Sequence, residues 1–116
     1  MRLVLVLLAL VAGPLAAASC APAPTPEEIA AANCATRGGA MQRVGRMQTL
    51  QCVIKYPDAG RPCRTGSDCM ADCRTDGNVA VLEGRETTGV CQADSNRFGC
   101  FTTIEDGRAQ ATLCVD

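Results

Sequence analysis

The longest apolar run in the chain is residues 3–12, which carry no polar side chain. Met1-Arg2 precedes it and the small-residue stretch Gly13-Pro14-Leu15-Ala16-Ala17-Ala18 follows. A charged start, an apolar centre and a small-residue end read as an export signal over residues 1–19. The run is too short to span a bilayer as a helix. Residues 20–26, Cys-Ala-Pro-Ala-Pro-Thr-Pro, then have the proline spacing of a stiff, extended tether. Residues 27–116 remain as a single candidate domain.

Thr25-Pro26-Glu27-Glu28 is a helix start: Thr25 can cap, Pro26 suits the first helical position, and Glu28 can close a capping box. The helix should run to about Thr36, with Arg37 in its last turn, and stop at Gly38-Gly39. Ala30 and Cys34 share a face, which turns Cys34 inward. Residues 41–44 and 47–54 alternate around Gly45-Arg46, a two-residue loop suited to a type II′ hairpin. That register sets Met41 opposite Leu50 and puts Leu50, Cys52 and Ile54 on one face. A turn over residues 55–60 leads to the cysteine-dense stretch 60–73, spaced C-x5-C-x3-C. Thr65 to Asp68 reads as a second helix start, and the helical turn should reach Cys73. Cys69 and Cys73 would then have Cβ atoms about 5–6 Å apart. A disulfide needs about 3.8 Å, so each should bond elsewhere. Beyond the turn Asp76-Gly77-Asn78, residues 79–82 are apolar, 83–87 form the loop expected to be the most mobile, and 88–92 form a strand carrying Cys91. The last hairpin joins 100–105 to 109–115 through Asp106-Gly107-Arg108. A three-residue loop sets Cys100 opposite Cys114, Phe101 opposite Leu113 and Thr102 opposite Thr112.

Composition turns this pattern into a disulfide framework. Tyr56, Phe98 and Phe101 are the only aromatic residues, so a domain of this size buries little apolar area. Nine cysteines accompany them in a chain with an export signal, and oxidising compartments favour bridges. The expected fold is a small disulfide-rich α+β domain with one N-terminal helix, a short central helical turn and β-hairpins. Hairpin register selects Cys100–Cys114. Eight cysteines allow about 105 connectivities. Among them Cys34–Cys52 would close the helix onto the first hairpin, and Cys63–Cys73 with Cys69–Cys91 would tie the cysteine-dense stretch.

The ninth cysteine is Cys20. Ala17-Ala18-Ser19-Cys20, with Leu15 upstream, resembles the lipobox of bacterial lipoproteins, which implies that Cys20 becomes a lipidated N-terminus. Ala17 stands where that family prefers leucine. The alternative is ordinary cleavage after Ala18, which leaves a free or intermolecular thiol.

Candidate chemistry changes the picture little. The chain has no histidine, which removes Ser-His and Cys-His nucleophilic sites and the commonest metal ligand. The paired C-x2–4-C knuckles of a cysteine-only zinc site are absent, and so is a C-x-x-C redox motif. Asp68 and Asp72 could form a carboxylate pair for acid–base work or calcium, but a solvated helix face explains them as well. Asp58, Asp76, Asp94 and Asp106 sit in turns that favour Asp for backbone reasons. Without Arg2 there are ten basic and twelve acidic side chains, a balance near −2 that draws neither nucleic acid nor an acidic membrane. Nine arginines against Lys55 could supply an anion-binding patch, yet they are dispersed along the chain.

We therefore expect no catalytic residue, no metal, no cofactor and membrane contact through a lipid anchor only. The expected role is binding or structural, with an envelope protein or surface ligand as partner. The alternative is a secreted peptidase inhibitor presenting Lys55-Tyr56 or Gly60-Arg61-Pro62 as a rigid loop.

Several motifs carry a family resemblance: Tyr-Pro-Asp-Ala-Gly-Arg-Pro-Cys at 56–63, Ser-Asp-Cys-Met-Ala-Asp-Cys at 67–73 and Thr-Gly-Val-Cys-Gln-Ala-Asp at 88–94. Phe-Gly-Cys at 98–100, Glu-Asp-Gly-Arg at 105–108 and Leu-Cys-Val-Asp at 113–116 continue it. Together they resemble small cysteine-rich exported proteins of proteobacteria, a likeness that implies export and disulfides and carries over no site. A weaker likeness links Cys34-Ala-Thr-Arg-Gly-Gly, Cys52 and Pro57–Cys63 to short bacterial lipoprotein modules labelled hemolysin. Ala59 interrupts their Asp-Gly turn and no tryptophan follows.

Overall fold

The computed structural model describes residues 20–77 and 79–116. The expected export signal, residues 1–19, and Asn78 of the expected turn lie outside the described residues. Among the described residues the domain is α+β, with one α-helix, two antiparallel sheets and four disulfides.

Helix α1, Pro26–Thr36, starts through the expected capping box. Thr25 Oγ1 accepts from the Glu28 N–H at 3.2 Å, and Glu28 Oε2 accepts from the Thr25 N–H at 2.6 Å. Arg37 is the C-cap rather than a last-turn residue, and Gly38 follows at φ +76°. The one buried residue of α1 is Cys34; Ile29 is half exposed. With no apolar stripe to bury, the helix is held to the fold by a covalent bond. That bond is Cys34–Cys52, with Cα atoms 5.5 Å apart.

Cys52 lies in the first hairpin, formed by β1 (Gly39–Val44) and β2 (Thr49–Ile54). Its loop is four residues long, not two, and Met41 faces Cys52 rather than Leu50. Gly45 at φ +69° opens the turn and Gln48 at φ +51° closes it, with both the backbone and side-chain amides of Gln48 donating to the Gly45 carbonyl. Gly45 is also required by its neighbour, because a Cβ there would lie 2.8 Å from the Phe98 ring.

The second sheet has the strand order β3-β5-β4-β6-β7. Its members are β3 (Pro62–Cys63), β4 (Cys73–Arg74), β5 (Gly89–Cys91), β6 (Gly99–Glu105) and β7 (Arg108–Val115). Strands β6 and β7 form the long hairpin, and Cys100, Phe101 and Thr102 face Cys114, Leu113 and Thr112 as expected. The turn between them is not the expected three-residue loop. Asp106 (φ +49°) and Gly107 (φ +73°) make a two-residue turn with both central residues left-handed, the geometry that Asp-Gly favours. Glu105 then pairs with Arg108, and a bulge restores the outer register by setting Gln110-Ala111 against Thr103 alone. The polar segment 83–87, expected to be the most mobile loop, runs along the outer edge of β7. Ala109 O accepts from Gly84 N–H (2.7 Å), Arg85 O from Ala109 N–H (2.9 Å) and Gly107 O from Thr87 N–H (3.0 Å).

The buried apolar set among the described residues is Cys34, Val44, Val53, Cys63, Cys73, Cys91, Ile104 and Ala109. Half of it is cysteine, so the interior is built largely of sulfur. Ile104 is its largest member and packs with Cys63, Cys73 and Cys91. The first hairpin joins this core through the backbone: Ser95 Oγ accepts from Ile54 N–H and Ile54 O accepts from Ser95 N–H, both at 2.9 Å.

Candidate functional site

The cysteine-dense stretch is drawn together by strand pairing. In the sheet Cys73 stands opposite Cys91, and Cys63 stands opposite Gly89. Residues 89 and 91 share a face of β5, so Cys63, Cys73 and Cys91 all point into one layer. Gly89 has a second duty: a Cβ there would collide with the Arg74 carbonyl and lie 2.5 Å from Ile104 Cδ1. No pattern of residue types in the chain announces that requirement.

Cys69 reaches the layer differently from expectation. The predicted helical turn to Cys73 is cut to one 3₁₀ turn, Gly66–Asp68, and Cys69 is extended at φ −122°, ψ 158°. Asp68 Oδ2 accepts from the N–H groups of Arg64 (2.9 Å) and Thr65 (3.2 Å), folding the turn back on itself. Cys69 and Cys73 bond to different partners as expected, although the helical spacing behind that expectation is not formed. The bridges are Cys63–Cys73 and Cys69–Cys91, with Cα separations of 5.9 and 5.4 Å. Sγ atoms of Cys63, Cys69 and Cys91 lie within 4.8 Å of one another. All are in disulfides, so none is a thiolate, the form that binds a metal. The fourth bridge, Cys100–Cys114, spans 4.0 Å between Cα atoms across the long hairpin.

An open groove of about 680 Å³ borders this hub, lined chiefly by Arg61, Pro62, Cys63, Arg64, Ser67 and Asp68. Two of its charges, Arg61 and Asp68, are tied to the backbone. The Arg61 guanidinium donates to the Asp68 carbonyl, and that of Arg64 lies over Gly107. Glu105 accepts from Thr65 Oγ1 and from Gly66 N–H (3.2 Å), which docks the tip of the β6–β7 hairpin on the turn.

Asp68 and Asp72 do not converge on a shared ligand position. Asp68 caps its own turn, while Asp72 pairs with Arg74 at 2.9 Å. The Arg74 guanidinium stacks over Phe101, 3.7 Å from the ring centroid, a contact the sequence did not signal. Asp58 reaches farther than a turn residue should, with Oδ2 accepting from Met70 N–H at 2.7 Å. Asp94 closes a local turn by accepting from Asn96 N–H at 2.9 Å. Cys20 is exposed and unbonded. Residues 20–25 have no regular secondary structure and lead directly into α1.

Comparison of the chain with protein-family models, curated proteins and solved structures finds no match. Function therefore rests on this geometry. Four bridges in so small a domain fit an oxidising, exported location.

Proposed function

We propose that the chain is a non-catalytic protein of the bacterial envelope, anchored by lipid on Cys20 and presenting a disulfide-locked domain for binding. Cysteine parity carries this reading: four bridges use eight cysteines and leave Cys20 exposed and alone. It stands where the lipobox resemblance requires a lipidated residue, ahead of a proline-spaced tether. The binding face in this reading is the Arg61–Asp68 groove, because bridges at Cys63 and Cys69 hold its walls and leave little entropy to lose on docking. Its partner is an envelope protein or a surface ligand.

Detergent phase partitioning with intact-mass measurement tests the anchor. The expected result is a detergent-phase protein carrying acyl mass, with precursor accumulating when lipoprotein signal peptidase is inhibited. A soluble mature form with a free Cys20 thiol overturns the anchor.

The inhibitor alternative finds less support in the loops it needs. A protease-binding loop must leave its backbone free to pair with the enzyme. Arg61 N–H already donates to the Asp58 carbonyl (3.0 Å), and Arg61 O accepts from Cys91 N–H (2.8 Å). At the other candidate loop, Lys55 bridges to Asp94 and Tyr56 N–H donates to Ala93 O at 3.0 Å.

A further inference from the structure

The four hub cysteines have more than one way to pair. Cys73 and Cys91 are joined to different partners, yet they stand directly opposite each other in β4 and β5. Opposed residues in antiparallel strands have Cα atoms about 4.5–5.5 Å apart, within the range a disulfide spans. The other two, Cys63 and Cys69, have Sγ atoms within 4.8 Å. Cys91 Sγ, held within 4.8 Å of Cys63 and Cys69, need only turn toward Cys73 across the paired strands β4 and β5 for the bridges to change. Access is unequal: Cys63, Cys73 and Cys91 are at most 4% exposed, whereas Cys69 is only partly buried.

We propose that Cys69 is a site of attack by small thiols, and that this attack interconverts two native-like pairings of the hub. The external thiolate attacks Cys69 Sγ, the Cys69–Cys91 bond breaks, and the electron pair leaves on Cys91 Sγ. The Cys91 thiolate attacks Cys73 Sγ, forming Cys73–Cys91 and expelling Cys63 as thiolate. Cys63 then attacks Cys69 Sγ, forming Cys63–Cys69 and releasing the external thiolate. No electrons are gained or lost overall, and the thiol is regenerated. The new pairing ties β3 to the 3₁₀ turn instead of to β4, which alters the groove that Cys63 lines. The outer bridges lack this route. Neither Cys34–Cys52 nor Cys100–Cys114 belongs to a comparable sulfur cluster among the described residues, so opening them leads only to reclosure.

Equilibrating the native, lipid-free protein in reduced and oxidised glutathione at mildly alkaline pH tests this. After alkylation, trypsin with an Asp-specific endoprotease separates the four hub cysteines, since cleavage before Asp68 and Asp72 parts Cys69 from Cys73. The expected result is Cys73–Cys91 and Cys63–Cys69 crosslinks at roughly one part in a hundred or more, the population of a state a few kcal/mol above the ground state. Cys34–Cys52 and Cys100–Cys114 stay unchanged. An unaltered hub, glutathione held on Cys69 without new crosslinks, or scrambling that includes the outer cysteines each overturns the proposal. A C63A/C69A variant gives a second readout. Cys73 and Cys91 should bond each other in it, and two free thiols at those positions in a folded variant refute the pairing.

Discussion

Gly38 and Gly39 are adjacent, and replacing each with alanine separates two reasons for a glycine. Gly38 stands at φ +76° with open space around it, so alanine there meets only the left-handed backbone penalty, about 1 kcal/mol. Gly39 has no such φ. A Cβ at 39 would lie 2.8 Å from Cys52 Sγ, 2.9 Å from Val53 O and 3.0 Å from Cys34 Sγ. The carbonyl belongs to the β1–β2 pairing and the sulfurs to a bridge, so none can move alone. Overpacking of this kind destabilises by about 1–3 kcal/mol. If the bridge yields instead, the loss is that of a loop closed over a separation of 18 residues, about 3 kcal/mol in the chain-entropy model. Either route predicts a fall of about 2–3 kcal/mol for Gly39→Ala, or roughly 10–20 °C in Tm, against about 5 °C for Gly38→Ala. Thermal unfolding followed by circular dichroism, with thiol counting, measures both. Loss of the bridge would free α1, whose only buried residue is Cys34, so hydrogen exchange in residues 26–36 reports that route separately. A Gly39→Ala protein with its bridge closed and a Tm no lower than that of Gly38→Ala refutes the reasoning.

Three further outcomes follow from the same structure. Gly89→Ala should destabilise by about 3 kcal/mol, and adding Ile104→Val should recover only part, because it clears the Cδ1 contact and leaves the collision with the Arg74 carbonyl; urea unfolding of the two single variants and the double variant checks this. Replacing both Cys100 and Cys114 with serine should lower stability by about 3 kcal/mol while the other three bridges still form, whereas Cys114→Ser alone should scramble them through the Cys100 thiol, as non-reducing peptide maps will record. Hydrogen bonds from the Thr25 backbone and then its side chain hold the Glu28 carboxyl below its ordinary value of 4.5. A depressed carboxylate stabilises above its unfolded pKa and loses that contribution as pH falls through the folded one, so protection of the first turn of α1 should fade as pH falls below the ordinary 4.5 and become pH-independent in Glu28→Gln.

The parts of this fold legible in the sequence are those set by local rules. Thr25 and Glu28 announce the capping box, Asp106-Gly107 marks a hairpin, and the cysteine-dense stretch identifies a hub. What stayed hidden depends on contacts between distant residues. Gly39 and Gly89 are glycines because other segments pass too close for a Cβ, and nothing adjacent in sequence records that. The central helical turn starts where expected, with Thr65 as N-cap and Asp68 accepting from its N–H, but it ends after one 3₁₀ turn because Cys69 is extended and bonded to Cys91, a partner distant in sequence. At the Arg61–Asp68 groove the sequence displayed the charges but not their engagement with backbone carbonyls and neighbouring turns.

Both hairpin loops differ in length from expectation, yet the cysteines in their flanking strands are bonded to the expected partners, and the physics of a strand explains why. Side chains alternate with a period of two, so an error of two in register leaves every residue on its proper face. Lengthening the first loop from two residues to four moves Met41 from Leu50 to Cys52, but Leu50, Cys52 and Ile54 keep their shared face. Cys52 still points toward Cys34. In the second hairpin the turn is one residue shorter than expected, an odd change that by itself would send Cys100 and Cys114 to opposite faces. The bulge at Gln110-Ala111 absorbs the odd residue before the bridge is reached. A disulfide between directly opposed cysteines is compatible with only one parity, and the short turn that Asp106-Gly107 favours supplies the other. Turn chemistry and bridge can both be satisfied only if one strand carries an extra residue between them, and the strand that carries it is β7.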